Sequence, residues 1–289
     1  MKKKLIILGI ILIVITISTI IIVPTIYNKI QNDDIIVLAY HHFMDEDEKN
    51  KYESENGFVI STKNFEEQLK LLKKKGYKTM TSEDLYCYIK EECKLKGKHV
   101  LITMDDGNIS SYYKALPILE KYEYNSINFV IASRVKEKSE EWGKFDKYYF
   151  LGKDLINDIK DNHPLMEIGA HSYNLHSKID GVSPLKILSR EELVEDSKKA
   201  KEILNTDVYC FPFGAYNENL TKALEKAEFK MSFTFNPPGY VNKDNNIYAI
   251  PRVEVRGDYS IEKFERVLSN KKTITEYWKE IIKKIIGRA

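Results

Sequence analysis

Two adjacent carboxylates, Asp105 and Asp106, follow the apolar run His99–Met104 in "HVLITMDDGNIS". Ionised carboxylates this close repel one another unless a cation or a shared proton lies between them. Gly107 supplies a tight turn at the same point. A second polar pair, His171 and His176, follows the apolar run "LMEIGA" and is spaced five residues apart in "HSYNLH". Helical ligand pairs sit at i, i+4, so this spacing requires a loop that folds both imidazoles toward one point. One carboxylate and two imidazoles leave open positions for water and substrate on a divalent cation, as a catalytic metal site requires. Singly, each group has an ordinary reading as an Asp-Gly turn or a partly buried histidine. Their shared placement at the ends of strand-like runs favours one site. A third such end is "YCFPFGAYN", Tyr209–Asn217, where Pro212 and Gly214 fix a turn and Phe211, Phe213 and Tyr216 offer flat surfaces. It reads either as a rigid aromatic support or as a cleft wall with a backbone N–H placed for an oxyanion.

The elements that must position these groups alternate in type. "IIVLAY" from Ile35, "HVLITM", "SINFVIA" from Ser126, "LMEIGA", "VYCF", "MSFTF" and "IYAIPRVEV" read as short strands. Between them lie helical patterns: one through Phe65, Leu69 and Leu72 ending at Gly76, one capped by Ser189 with Glu192 and running to Leu204, and others over 217–228 and 260–268. Seven or so strand–helix units predict a mainly parallel sheet that closes, or nearly closes, into a barrel with its active residues at the strand ends.

Leu5–Tyr27 carries no charge and follows Lys2, Lys3 and Lys4. That length suits a membrane-spanning helix with a cytoplasmic N-terminus. A cleaved signal peptide is the competing reading, but no A-x-A-like site follows. The expected organisation is an anchor at 1–28, a linker at 29–34, a catalytic domain at 35–270 and a basic amphipathic helix at 271–289. That last helix either docks as a terminal helix on the barrel or lies on an anionic surface. Of 45 basic residues, three lie in 1–28 with no acid, leaving 42 against 43 acidic residues and a net charge of −1. Nothing in that balance asks for a nucleic-acid partner. Three cysteines, Cys87, Cys93 and Cys210, are too few for a disulfide scaffold or a closed thiolate zinc site, and a Cys87–Cys93 pair stays open.

In order, Thr103-Met104-Asp105-Asp106-Gly107, His171-Ser172 with His176, and "FPFGAYN" resemble the motifs of the polysaccharide deacetylase family, carbohydrate esterase family four. The longer histidine spacing is more similar to the branch that deacetylates poly-N-acetylglucosamine exopolysaccharide. The resemblance spans roughly residues 35–255 and implies a distorted (β/α) barrel. It also implies a divalent metal, zinc first and otherwise cobalt, nickel or iron, held by Asp106, His171 and His176. Asp105 would then be the general base, and the N–H of Phe213 or a neighbour the oxyanion donor. Tyr216 and Tyr173 are expected near the substrate. Two departures stand out. Cys210 occupies the place of the family's base-orienting arginine, for which Arg252 is the expected substitute. No histidine follows His176, so His41 in "LAYHHF" is expected as the general acid, with His42 as its rival.

The resulting expectation is a single-pass membrane protein with an extracytoplasmic hydrolase domain. It would cleave linear amides on an N-acetylglucosamine polymer, with biofilm exopolysaccharide ahead of peptidoglycan. A non-catalytic carbohydrate-binding module and an O-acetyl esterase are the competing classes.

Overall fold

The computed structural model describes residues 2–30, 35–140, 149–177, 181–214, 217–235, 238–269 and 274–286. They form two compact units, one of residues 35–264 and one built from both chain ends, 1–34 with 265–289.

In the larger unit the strands are β1 (Ile36–Tyr40), β2 (His42–Met44), β3 (Val59–Ser61), β4 (Lys78–Thr79), β5 (His99–Met104), β6 (Ser126–Val130), β7 (Met166–Ala170), β8 (Val208–Cys210), β9 (Met231–Thr234), β10 (Ile250–Pro251) and β11 (Val253–Glu254). The main sheet runs β10-β9-β8-β7-β6-β5-β1-β11, with β4 added to β5, while β2 and β3 pair separately. Its pairings are all parallel. The final apolar run was expected as one strand and is instead two dipeptides split by Arg252. The reason is topological. Arg252 N–H still donates to Thr234 on β9 at 3.0 Å, whereas Val255 N–H donates to Ala39 on β1 at 2.9 Å. In those few residues the chain crosses from one end of the sheet to the other, giving a nearly closed parallel barrel.

Strands β1, β5 and β6 are buried at every position, as expected of parallel strands covered on both faces. Val37, Leu101, Phe129, Cys210, Met231 and Phe233 belong to one apolar cluster in the core. The expected helices are present: Thr62–Lys74, Arg190–Leu204 and Glu218–Lys226. Ser189 and Glu192 form the reciprocal capping box, and Asn217 accepts from Leu220 N–H. A π-helical turn at Ser111–Ala115 was not anticipated. Cys87 and Cys93 form a disulfide with their Cα atoms 5.5 Å apart, within the span such a bond needs.

In the smaller unit, helix Lys2–Ile30 contacts helix Ile274–Ile285. Trp278 Nε1–H donates to the Ile20 carbonyl at 3.1 Å. Among the described residues no helix is long and apolar enough to cross a membrane. The side chains described in the N-terminal helix run from 12 to 26.

Candidate active site

Parallel pairing places the C-terminal ends of the strands on one rim, where barrel sites are built. His41 follows β1, Asp105 and Asp106 follow β5, His171 follows β7, and Phe213 lies just beyond β8. These residues, with His176, line one cavity of about 670 Å³. Three of the turns that leave the rim use left-handed backbone at non-glycine residues: Asp106 (φ 72°), Ser172 (φ 68°) and Phe213 (φ 57°). Such conformations persist only where the surroundings over-determine them, and they cluster at functional sites. Gly107 (φ 65°) is required for space as well, since a Cβ there would stand 2.8 Å from Val130.

Asp105 is buried, and its two oxygens receive Arg252 Nη1–H and Nη2–H at 2.7 Å each. Arg252 is fully buried, stacks 4.2 Å from the Phe235 ring, and also donates from Nη1 to Thr103 Oγ1 at 3.0 Å. Thr103 in turn donates to the Leu38 carbonyl at 2.9 Å, so the hydroxyl that receives the guanidinium is itself anchored on β1. Burial alone would raise the Asp105 pKa, but the adjacent guanidinium outweighs it and holds the carboxyl below its usual range. Cys210, which stands where the family's arginine was sought, places Sγ 3.9 Å from the same carboxylate. The cation therefore reaches Asp105 from between β10 and β11 instead of from β8.

Asp106 faces the other way. Its Oδ1 lies 3.1 Å from His176 Nε2 and 3.7 Å from His171 Nε2. Neither ring N–H is aligned on that oxygen, which is buried without a hydrogen-bond partner among the described residues. His171 Nδ1 donates to the Cys210 carbonyl at 2.9 Å, which leaves Nε2 as the lone-pair nitrogen turned toward Asp106. Burial lowers the His171 pKa to about 4, keeping the ring neutral. Burial opposes ionisation of Asp106 too, yet the adjacent His176 ring holds its carboxyl low. One carboxylate oxygen and two imidazole nitrogens within 4.8 Å of one another, with no hydrogen bond among them, fit a divalent cation. The carbonyl bonded to His171 Nδ1 is the partner that orients a metal-binding histidine.

The two neighbouring histidines separate cleanly. His41 turns its Nε2 toward Asp105 Oδ2 at 3.9 Å and packs its ring against Phe58 at 4.9 Å, leaving Nδ1 buried and unbonded. His42 is tied down at both nitrogens, Nδ1 to Ser110 Oγ at 2.9 Å and Nε2 to Asn108 Nδ2 at 3.1 Å. Because the Asn108 amide donates to Nε2, the proton of His42 sits on Nδ1. Burial lowers this pKa to about 4.

The remaining expected residues are divided. The Phe213 ring stands 4.5 Å from that of His176 and is half exposed at the cavity wall. Tyr173 lines a separate cavity of about 390 Å³ with Asn174 and Asp196, apart from the Asp106–His171–His176 cluster. Tyr216 lies outside the described residues. Sequence reasoning missed Asp196, whose carboxylate accepts from Tyr173 N–H and Asn174 N–H at 2.9 and 2.8 Å and so shapes the loop between the two histidines. It also missed that Thr103 and Phe235 hold Arg252. A threonine inside the buried run "LITM" was the one signal available.

The polysaccharide deacetylase family model matches residues 93–232. YxkH of Bacillus subtilis is 29% identical over 205 residues, covering 70% of this chain and 67% of its own length. A poly-β-1,6-N-acetyl-D-glucosamine N-deacetylase of Staphylococcus aureus is 26% identical over 212 residues, covering 70% of this chain and 69% of the relative. Among solved structures, IcaB from Ammonifex degensii superposes with a TM-score of 0.68 at 25% identity, over 84% of this chain and 99% of that one. The Streptococcus pyogenes deacetylase PplD in complex with acetate shares the fold, with a TM-score of 0.66 at 21% identity, over 84% of this chain and 100% of that one. Sequence motifs, barrel and site geometry agree with these matches: the chain carries a polysaccharide deacetylase domain, and that domain and its relatives indicate a de-N-acetylase hydrolase.

Proposed function

We propose that the chain removes N-acetyl groups from a poly-β-1,6-N-acetylglucosamine exopolysaccharide outside the cell. The observation that carries the chemistry is the pairing, on one cavity, of a clamped carboxylate at Asp105 with an unbonded Asp106–His171–His176 cluster. The likeness to the Staphylococcus aureus enzyme supports the substrate.

Asp106, His171 and His176 would hold the divalent cation, zinc in the first instance. Bound there, such an ion polarises the amide carbonyl and lowers the pKa of water. Asp105 accepts a proton from the attacking water; Arg252 keeps this carboxylate ionised and fixed in orientation. As the C–N bond breaks, His41 gives a proton to the departing nitrogen. Acetate and a free amine on the sugar result, and one water is consumed. The Phe213 turn lies beside His176, where its N–H would meet the carbonyl oxygen.

The N-terminal helix would anchor the enzyme, with the barrel on the extracytoplasmic side. Between Leu12 and Ile26 exposed apolar side chains occupy every face. Thr16, Thr19 and Thr25 return their hydroxyls to carbonyls four residues back, which spares them an unsatisfied donor in lipid. The Cys87–Cys93 pair suits an oxidising compartment.

The test is acetate release by the full chain from β-1,6-linked N-acetylglucosamine oligomers and, separately, from peptidoglycan. Chelator-sensitive release from the oligomers supports the reading. Release from peptidoglycan alone overturns the substrate assignment.

A further inference from the structure

We propose that helix Ile274–Ile285 is a second membrane contact, lying in the headgroup layer of an anionic bilayer beside the N-terminal helix. This rests on the reading of the N-terminal helix as an anchor.

Within the helix, Ile274, Tyr277, Trp278, Ile281, Ile282 and Ile285 recur at the spacing of one helical face. Pairing with the N-terminal helix does not bury that face: Ile282 and Ile285 are 54% and 77% exposed, and Ile286 beyond them 57%. The helix it pairs with is itself exposed and apolar all round, a condition met in lipid but not in water. Two such helices in one unit share one apolar surrounding.

The polar side indicates which surrounding. Residues 271–289 carry six basic and two acidic side chains. Lys279 and Lys283, at i, i+4 and both exposed, border the apolar face. This is the pattern of a helix in the plane of an anionic interface, apolar face down and lysines at the headgroups. The depth agrees. Trp278 bonds to Ile20, seven residues before Tyr27 at the outer end of the uncharged stretch. At the rise of an α-helix that is about 10 Å below the end of the stretch. Interfacial helices bury their apolar face to about this depth, where tryptophan and tyrosine concentrate. Tyr277 packs edge-on to Trp278 at 5.3 Å, so both aromatic anchors sit at this level.

The chain has two tryptophans, so W142F leaves Trp278 as sole reporter. Full-length W142F is reconstituted in phosphatidylglycerol–phosphatidylcholine vesicles whose acyl chains are brominated near the headgroup. The expected result is quenching of Trp278 by about twofold or more, with weaker quenching in vesicles of phosphatidylcholine alone and in K279E/K283E. Unquenched emission from vesicle-bound protein overturns the proposal. So does quenching of equal strength without anionic lipid, and so does cross-linking between copies through this helix with no quenching, which would make the cover a second chain. Acetate release from soluble oligomers is read on the same vesicles. Its loss with quenching intact counts against the catalytic reading alone.

Discussion

Asp105 and Asp106 are chain neighbours with opposite surroundings. The first is sealed in the barrel with both oxygens on a guanidinium that cannot leave. The second turns through left-handed backbone and offers one oxygen to two imidazoles without a hydrogen bond. On the proposed reading two adjacent carboxylates both stay ionised because each has its own cation, Arg252 for Asp105 and a bound metal for Asp106. The strand end thus gives one dipeptide a clamped carboxylate and an open one, the pair proposed as base and metal ligand.

Asparagine at each position should break the comparison in different ways. D106N should lose bound metal and, with it, activity by about 10³-fold or more, the scale of an essential catalytic group. D105N should retain stoichiometric metal by elemental analysis yet lose about 10²–10⁴-fold in turnover, the contribution of a positioned base. Equal metal loss in both would erase the distinction.

R252A probes the fixed cation. Removing one partner of a buried pair costs about 3–5 kcal/mol, read as a lowered denaturation midpoint. The sign of the pH effect follows from the guanidinium holding Asp105 low. Without it, burial dominates, the carboxyl pKa rises, and the acidic limb of kcat/KM moves to higher pH. An unmoved limb would remove Arg252 from the role of orienting the base.

The His41–His42 pair repeats the contrast on a smaller scale. H41A should lower turnover by about 10²-fold with fold and metal intact. H42A should mainly destabilise, by about 1–3 kcal/mol, because Ser110 and Asn108 lose a buried partner. His42 is neutral when folded, with a pKa lowered to about 4. The unfolded chain binds its proton more readily, so this stability is full above about pH 6.5 and declines as pH falls toward 4. In H42A that part of the acid sensitivity should shrink. Y173A, in its separate cavity, should change KM by no more than about threefold, within the range of a peripheral substitution.

The parts legible in the sequence were those encoded within a few residues. Buried strands carry their own apolar run, and a charged pair at such an end, as at Asp105–Asp106, announces a site. The Ser189–Glu192 cap is equally local. What escaped was set by closure. Arg252 stands 147 residues from Asp105, and only the crossing from β9 to β1 brings the two together. The family motif suggested that some arginine was needed, but nothing in "IPRVEV" told which way its side chain turns. Asp196 is one acid among several on a polar helix, and its hold on the histidine loop depends on the loop's backbone. That His42 is held at both ring nitrogens depends on Asn108 and Ser110, 66 and 68 residues away in the chain and invisible to pattern.

The central claim is that the Asp106–His171–His176 cluster is a metal site serving Asp105. The most direct measurement is acetate release from β-1,6-linked N-acetylglucosamine oligomers by the full chain before chelation, after it, and after a divalent cation is restored, with D106N alongside. The account predicts release abolished by chelation, recovered on restoration, and unrecoverable in D106N. Release that survives complete metal removal, or D106N that keeps both metal and activity, would contradict it.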